Sequence, residues 1–220
     1  MMSIMRTSLL ALLILVGPAL AEKSALEQDP KGWINLFPSK NLKGWKRIPL
    51  GDKPLSKKNP WVVKGDTLIC DGVGIWEMLL FQKEFRDGIF HIEWRFRKVE
   101  GKPPYNSGVY IRTAKDGSIW HQAQVAHVGK APNTGDLFGE TLIKGKKARM
   151  ITPGTGHKRA NPPGEWNTYE VTAKGKALSV WFNGATVCTW KECPLLKGHL
   201  GMQSEFYYIE FRNLKYKPLR

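Results

Sequence analysis

Short strand-like segments joined by glycine turns constrain the fold of this chain more than any other feature. Residues 164–187 alternate apolar and polar side chains and are interrupted at the dipeptides Lys174–Gly175 and Asn183–Gly184. Such dipeptides are typical of tight turns between antiparallel strands, so the segment predicts a three-stranded meander. It is rich in aromatic residues, of which we expect the two tryptophans to lie in the core. These residues are Trp166, Tyr169, Trp181 and Phe182.

The same pattern recurs along the chain, and the three-to-four spacing of helices is nowhere sustained. Residues 61–70 predict a hairpin with Gly65–Asp66 at its turn, and residues 25–28 predict one helical turn. Residues 129–164 predict a long irregular insertion, whose basic cluster from Lys144 to Arg149 we interpret as solvated. The pattern predicts an all-β antiparallel sandwich. Further strands are expected at 33–37, 42–48, 75–81, 88–99, 107–113, 119–128, 199–203 and 208–217.

The first residues have the pattern of a secretory signal peptide. Arg6 precedes the apolar run Leu9 to Val16, which is too short to span a bilayer, and Ala19–Leu20–Ala21 follows. We therefore predict a signal peptide over residues 1–21 and a secreted or periplasmic protein. An uncleaved membrane anchor is the alternative. The remaining chain has no Ser- or Pro-rich linker and no internal repeat, which predicts one domain over residues 28–219.

The cysteines bear on the redox state of the protein, and the net charge bears on its expected partners. Cys188 and Cys193 are close enough in sequence to form a disulfide in an oxidising compartment, and the alternative is three reduced, buried thiols with Cys70. The formal net charge of +15 would attract polyanions of the cell envelope. The predicted export and the lack of a recognised binding motif argue against a nucleic-acid partner.

The segment Phe90–Arg97 places different chemistry on its two faces. Phe90, Ile92, Trp94 and Phe96 alternate with polar residues, so the apolar side chains are expected in the core. Two later segments, 107–112 and 121–125, alternate in the same way. If the three strands are neighbours, their polar residues share one face suited to a sugar, because amides and guanidinium groups bind paired hydroxyls. These residues are Glu93, Arg95, Tyr110, Arg112, Gln122 and Gln124.

Seven motifs in order make the chain recognisable. They are Phe37–Trp45 with Leu–x–Gly–Trp, Asn106–Ser–Gly–Val–Tyr–Ile–Arg112, His121–Gln–Ala–Gln124, Thr134–Gly–Asp–Leu–Phe–Gly139, Pro163–Gly–Glu–Trp–Asn–Thr–Tyr169, Phe182–Asn–Gly184, and Gly201–Met–Gln–Ser–Glu205 with Phe211–Arg–Asn213. Together they resemble the 3-keto-disaccharide hydrolase domain family of secreted bacterial proteins, over about residues 33–219. The resemblance implies a concanavalin A-like jelly roll in which one concave sheet carries the site.

Two departures from the family pattern affect the expected site. Gln122 occupies a position where the family usually has Glu, so an acid or base at that position would be missing here. Phe206 follows Glu205 where the family often has a glycine-containing turn, which is expected to reshape the rim of the site.

The resemblance implies cleavage of glycosidic bonds in 3-keto-glucosides or 3-keto-disaccharides. A ketone at C3 acidifies the hydrogen at C2, so one base and a group that stabilises an oxyanion suffice for elimination, and water adds afterwards. Glu93 is the first candidate for the base and Glu205 the second, with Arg95 and Arg112 around the oxyanion. Expected substrate-binding residues are Arg95, Asn106, Tyr110, Gln122, Gln124 and Gln203, although Asn106 also suits a turn.

Two other functions are compatible with the sequence. A noncatalytic carbohydrate-binding module would use Gln122, Gln124, Tyr110 and an exposed tryptophan, and the absence of the family Glu favours it. A basic envelope protein would hold acidic polymers through its lysines. No metal ligands are evident, since the histidines His127 and His157 are isolated, and no cofactor is required by the sequence. A divalent cation is not excluded.

Overall fold

The computed structural model describes residues 21–51, 54–72, 76–101, 104–127 and 133–219. The predicted signal peptide therefore lies almost wholly outside the described residues. Within them, no helix is long and apolar enough to cross a membrane. The elements are α1 (Ala25–Gln28), β1 (Ile34–Asn35), β2 (Trp45–Pro49), β3 (Trp61–Lys64), β4 (Thr67–Cys70), β5 (Glu77–Phe81), β6 (Gly88–Phe96), β7 (Tyr105–Thr113), β8 (Trp120–His127), β9 (Leu137–Ile143), β10 (Lys146–Thr152), a 3₁₀ turn (Gly156–Lys158), β11 (Asn167–Lys174), β12 (Ala177–Phe182), β13 (Ala185–Trp190), β14 (His199–Ser204) and β15 (Ile209–Pro218).

The described strands form two antiparallel sheets, which confirms the predicted all-β sandwich. Sheet A has the order β13-β12-β11-β6-β15-β4-β3, with β1 also paired to β15. Sheet B has the order β10-β9-β8-β7-β14-β5-β2. Strands β6 and β7 are consecutive in sequence but belong to different sheets. We expected β6 to share a sheet face with β7 and β8, and this prediction is wrong.

The core lies between the two sheets and follows the predicted alternation. Phe90, Ile92, Trp94 and Phe96 are each at most 2% exposed, whereas Glu93 and Arg95 on the same strand are only partly buried. Sheet B contributes alternate residues from β7, β8 and β14, including Val109, Ala123 and Met202. Removal of these apolar side chains from water drives the packing of the two sheets.

The predicted meander is confirmed as β11, β12 and β13. Asn183 and Gly184 both have positive φ (40° and 96°), the backbone of a type I′ hairpin turn. Tyr169 and Phe182 are fully buried. The core assignment of the two tryptophans is wrong, because Trp181 alternates with buried Val180 and Phe182 and so lies on the outer face of sheet A, where Trp166 also packs beneath Arg212.

The predicted irregular insertion is the largest error in the strand assignment. Residues 137–152 form the hairpin β9–β10, which turns at Lys144–Gly145 with φ values of 50° and 75°. The basic cluster is therefore mostly one strand, β10, at the edge of sheet B. Its alternation is hard to detect because lysines and arginines occupy most of the exposed positions, as is common on edge strands.

All three cysteines are free, buried thiols. Of the two alternatives drawn from the sequence, the structure therefore has three reduced thiols and not the Cys188–Cys193 disulfide. Cys188 lies beside the carbonyl oxygen of Thr152 (3.2 Å), and Cys193 lies beside that of Leu195 (3.4 Å).

Candidate functional site

The outer face of sheet B carries a groove of about 1040 Å³. Its floor comes from β7, β8 and β14, because residues of these strands that alternate with the core residues point to the opposite face. The floor brings together five predicted binding residues, Asn106, Tyr110, Gln122, Gln124 and Gln203. The turn interpretation of Asn106 is wrong, since Asn106 lies within β7.

Side-chain amides on the floor form one hydrogen-bonded network. The Gln122 Nε2 atom shares its two hydrogens among three acceptors, Gln124 Oε1 (2.9 Å), Gln203 Oε1 (3.0 Å) and the backbone oxygen of Ser107 (3.1 Å). Gln124 Nε2 donates to Asn106 Oδ1 (2.7 Å), and Gln203 Nε2 donates to Glu205 Oε2 (2.7 Å). The network ends at a carboxylate and holds it in the groove.

Glu205 has the electrostatics of an acid–base group. Burial raises its pKa above the ordinary value of 4.5, and a hydrogen bond from Asn106 opposes this rise. Tyr110 lies nearby on the floor, and its pKa is raised well above 10, first by burial and then by the charge of Glu205. The tyrosine is therefore a neutral hydrogen-bond donor at physiological pH. Perturbed carboxyl groups in a cleft are typical of catalytic sites.

One wall of the groove combines aromatic rings with basic groups. Trp120 packs edge-on against Tyr110 and Phe138, with both pairs of ring centroids 5.4 Å apart. The Arg149 guanidinium lies 4.8 Å from the centroid of Phe138 and 5.4 Å from that of Trp120. Its contact with Glu140 is long (3.4 Å), so the cation is not fully engaged by that carboxylate.

The rim carries a pair of exposed aromatic residues. Trp76 lines the groove and is 39% exposed, and its ring lies 6.0 Å from that of the 52% exposed Phe206. Phe206 has φ 57°, a left-handed conformation that is unusual for a bulky residue. An exposed tryptophan at a polar groove offers the flat apolar surface that stacks on sugar rings.

Glu93 and Arg95 lie on the other sheet, across the core from the groove. The hypothesis that they share a face with Tyr110 and the glutamines is wrong. Glu93 accepts from Arg212 (2.7 Å) and Asn213 (2.9 Å), and Arg95 pairs with Glu210 (2.6 Å). A hydrogen bond from His91, with further donors from Asn213 and Arg212, lowers the Glu93 pKa to about 2. Such a carboxylate is a weak base.

Arg112 does not reach the groove either. It has φ 50° at a bulge where Leu200 of β14 faces both Ile111 and Arg112, so its side chain turns away from the floor. The buried guanidinium donates to the backbone oxygens of Gly175 (2.5 Å) and Leu195 (2.9 Å) and to Asp87 (2.8 Å). These contacts tie sheet B to residues beside sheet A, which is a structural role.

None of the histidine side chains that the structure describes lines the groove. His121 points into the core, where its Nε2 atom lies 3.0 Å from Thr141 Oγ1, and burial lowers its pKa to about 4. His157 is exposed in the 3₁₀ turn. The side chain of His127 lies outside the described residues. Among the described residues, no group of three or more His, Cys, Asp or Glu side chains could hold a metal ion.

Sequence reasoning missed the groove residues contributed by the misassigned hairpin. Phe138, Glu140, Lys147 and Arg149 line the groove from β9 and β10. Their signal was Lys144–Gly145, a dipeptide of the kind that marked the later meander, because residues 137–143 do not alternate apolar and polar side chains. Asp116 and Trp120 also line the groove and were missed.

The family comparison agrees with this architecture. A family model described as a 3-keto-alpha-glucoside-1,2-lyase-like domain matches residues 32–217. The chain belongs to this family. Among curated proteins, none matches the sequence.

Solved structures share the fold of this chain at low sequence identity. A candidate glycosyl hydrolase from Parabacteroides distasonis ATCC 8503 is 21% identical, with a TM-score of 0.61 over 85% of this chain and 99% of that one. The carbohydrate-binding module CBM66 from Bacillus subtilis is 13% identical, with a TM-score of 0.56 over 79% of this chain and 95% of that one. The κ-carrageenase from Pseudoalteromonas carrageenovora, solved with an oligotetrasaccharide, is 14% identical, with a TM-score of 0.55 over 84% and 94%.

These structures establish the concanavalin A-like sandwich for the lyase-like domain. Glycosidases and a noncatalytic module share it, so the fold alone does not separate catalysis from binding. Both kinds of neighbour are carbohydrate-active proteins, and the present chain is a carbohydrate-active jelly-roll domain of the lyase-like family.

Proposed function

We propose that the protein cleaves the glycosidic bond of 3-keto-glucosides by elimination, with Glu205 as the base. The observation that carries this proposal is the position of Glu205, a carboxyl group of raised pKa held by amides inside the groove. The family description supports the same substrate class. Only one base is needed, because the ketone at C3 makes the hydrogen at C2 acidic.

The proposed reaction has two stages. Glu205 takes the proton from C2, the electron pair of that bond moves into an enolate with its negative charge on the C3 oxygen, and the enolate then expels the oxygen at C1 with its substituent. The leaving oxygen takes this proton back from Glu205 through water, which restores the carboxylate, and a C1–C2 double bond remains. Water then adds across this bond to give the free 3-keto sugar. General base catalysis of the first step contributes about 10²–10⁴-fold.

Glu205 suits this role better than Glu93. A base works best when its pKa approaches the operating pH, and burial moves the pKa of Glu205 in that direction. Glu93 has a pKa of about 2 and is engaged by Arg212 and Asn213 on the opposite sheet. We therefore transfer the proposed base from Glu93 to Glu205.

The oxyanion donors of the proposal also come from the groove. Arg112 and Arg95 are engaged elsewhere, whereas Arg149 lies in the groove, stacked on Phe138 and Trp120. Arg149 and the hydroxyl group of Tyr110 are the proposed donors to the developing negative charge on the C3 oxygen. The protonated state of Tyr110 follows from its raised pKa.

A noncatalytic carbohydrate-binding module is the second candidate. The amide floor and the exposed Trp76 need no chemistry to bind a sugar, and Gln122 stands where the family usually has Glu. The similarity of the fold to a carbohydrate-binding module is consistent with this function.

One substrate panel separates the two candidates. The protein is incubated with 3-keto-glucosides and with the matching unoxidised glucosides, with and without a chelator, and the released sugar is measured. The proposal expects release from the 3-keto substrates alone. Binding of either sugar by calorimetry without any release would support the binding module. Release that disappears with the chelator would show that a cation is needed.

We also propose that the protein is exported, as its first 21 residues indicate. The acidic polymers of the envelope remain proposed partners of its many lysines.

A further inference from the structure

The direction of every hydrogen bond in the amide network is determined at one backbone group. Gln122 Nε2 lies 3.1 Å from the carbonyl oxygen of Ser107, which can only accept. Gln122 must therefore present its NH₂ group to that oxygen. In this orientation its Oε1 atom is buried and has no hydrogen-bond partner in the described structure.

The orientation of Gln122 fixes that of its neighbours. Because Gln122 approaches Gln124 and Gln203 with its nitrogen, both must turn their oxygens towards it. Gln203 then has only its NH₂ group left for Glu205, at 2.7 Å. On the other branch, Gln124 offers its NH₂ group to Asn106 Oδ1, which leaves the Asn106 nitrogen as a donor to Glu205.

Gly108 provides the space that this arrangement needs. A Cβ atom at this position would lie 1.9 Å from Gln122 Nε2 and 2.2 Å from Gln122 Cδ. The backbone of Gly108 is not in the left-handed region, so a side chain there would be excluded by contact with Gln122 and not by backbone strain. The glycine therefore serves the placement of the Gln122 amide across the floor.

We infer that Gln122 is a positioning residue that directs two hydrogen-bond donors, from Gln203 and Asn106, at the carboxylate of Glu205. This inference rests on the proposed function of Glu205 as the base. The Gln122 amide never contacts the carboxylate. Its effect is to keep the ionised form of Glu205 available in a buried place that otherwise favours the protonated acid.

The inference also gives a physical meaning to glutamine at this position. A carboxylate at 122 would put acceptor oxygens against the Ser107 carbonyl and against two more oxygens. Gln203 would have to reverse its amide to pair with it and would then offer an oxygen to Glu205. Glutamine and glutamate at 122 therefore set opposite hydrogen-bond directions around Glu205.

The test is the titration of Glu205 in the free protein, followed by ¹³C NMR of the labelled side-chain carboxyl group. Gln122→Met and Gly108→Ala should both raise the pKa of Glu205, by about half a unit or more for each lost donor. Gln122→Glu should raise it further, since a second carboxylate is then nearby. Gln203→Met removes one donor directly and should shift the pKa in the same direction.

Gln82→Met is the matched control, because Gln82 donates to a backbone oxygen, that of Trp45, outside the network. It should leave the titration unchanged. The inference is overturned if Gln122→Met and Gly108→Ala fold and Glu205 titrates as in the unaltered protein. Because no substrate is present, a shifted pKa in a protein that cleaves no 3-keto-glucoside would support the network and reject only the proposed reaction.

Discussion

At the scale of single residues, the two glutamates considered as the base have opposite environments. Glu93 is surrounded by cationic and amide donors that favour its charged form, which lowers its pKa. Glu205 receives fewer donors and is desolvated, which raises its pKa. Alternation assigned a strand face to Glu93, but Glu205 follows the end of β14 and so received no face from this rule. Its burial in the groove depends on contacts with Asn106 and Gln203 that alternation does not predict.

Glu205→Gln should retain sugar binding and lower the turnover of 3-keto-glucosides by about 10²–10⁴-fold, because the amide keeps the shape of the side chain but cannot take a proton. Glu93→Gln is the matched control on the opposite sheet and should keep the turnover of the unaltered protein. The two are compared by steady-state kinetics together with calorimetric binding. Full turnover in Glu205→Gln with loss in Glu93→Gln would return the base to the original assignment.

The pH dependence of the reaction follows from the same group. A base must be deprotonated in the free enzyme, and the raised pKa of Glu205 keeps its proton bound to higher pH. We therefore expect kcat/KM to rise with pH through a midpoint above 4.5, the ordinary value for glutamate. A profile of kcat/KM from pH 4 to 8 measures this midpoint. A profile with no rise from pH 4 upward, as expected for a base with the Glu93 pKa of about 2, would be incompatible with Glu205 as the base.

At the scale of elements, one bulge in β7 separates a binding strand from a structural contact. Up to Tyr110 the polar residues of β7 face the groove, and at Arg112 the left-handed backbone turns the side chain away from it. The guanidinium then joins β7 to the turn after β11 and to Asp87 before β6. A buried cation with three acceptors contributes to stability mainly because its loss would leave those acceptors without a partner.

Arg112→Met should lower the free energy of unfolding by about 3 kcal/mol, because the backbone oxygens of Gly175 and Leu195 lose the buried guanidinium that donates to them. Arg95→Met is the matched control, because Arg95 also pairs with a carboxylate, that of Glu210, but its own side chain is 36% exposed. That substitution should cost at most about 1 kcal/mol. Chemical denaturation measures both. A change in unfolding free energy below 1 kcal/mol for Arg112→Met would show that the contacts between the sheets are unimportant.

The elements also show which parts of the structure were predictable. The hairpin at Gly65, the meander at Gly175 and the alternation of Phe90 to Phe96 depend on local rules of turns and strand faces, and all three were predicted. The strand order depends on contacts between distant residues, such as the pairing of β6 with β15 and β11. Sequence order suggested instead that β6 lies beside β7, and this one error moved Glu93 and Arg95 into the wrong site.

The groove was predicted in part for the same reason. Tyr110, Gln122 and Gln124 lie on β7 and β8, a sequential hairpin pair whose shared face follows from alternation alone. Glu205 and Gln203 came from the family motif, and their place beside β7 required the long-range pairing of β14. The basic wall of β10 was missed because its charges concealed the strand.

At the scale of the whole molecule, the charge of the groove differs from the net charge of the chain. The chain carries +15 overall, whereas the charged residues that line the groove nearly balance. Lys147 and Arg149 are opposed there by three carboxyl groups, Asp116, Glu140 and Glu205. The excess positive charge is therefore on other surfaces. A neutral sugar in the groove and a polyanion on the outside would be bound by different forces.

Salt should separate these two kinds of binding. Raising ionic strength from 0.1 to 1 M shortens the Debye length from about 10 Å to about 3 Å and screens exposed charges. We expect the affinity for a neutral 3-keto-glucoside to change less than about twofold, since hydrogen bonds and stacking in the groove carry it. Affinity for an acidic polysaccharide should fall by at least about tenfold, because dispersed lysines act through their summed field.

Calorimetry with Glu205→Gln at both salt concentrations measures the affinity for the neutral sugar without turnover. Retention on an immobilised acidic polysaccharide measures the binding of the polyanion. If the affinity for the neutral sugar also fell tenfold, exposed charges would be responsible for its binding, and the assignment of the sugar to the groove would be wrong.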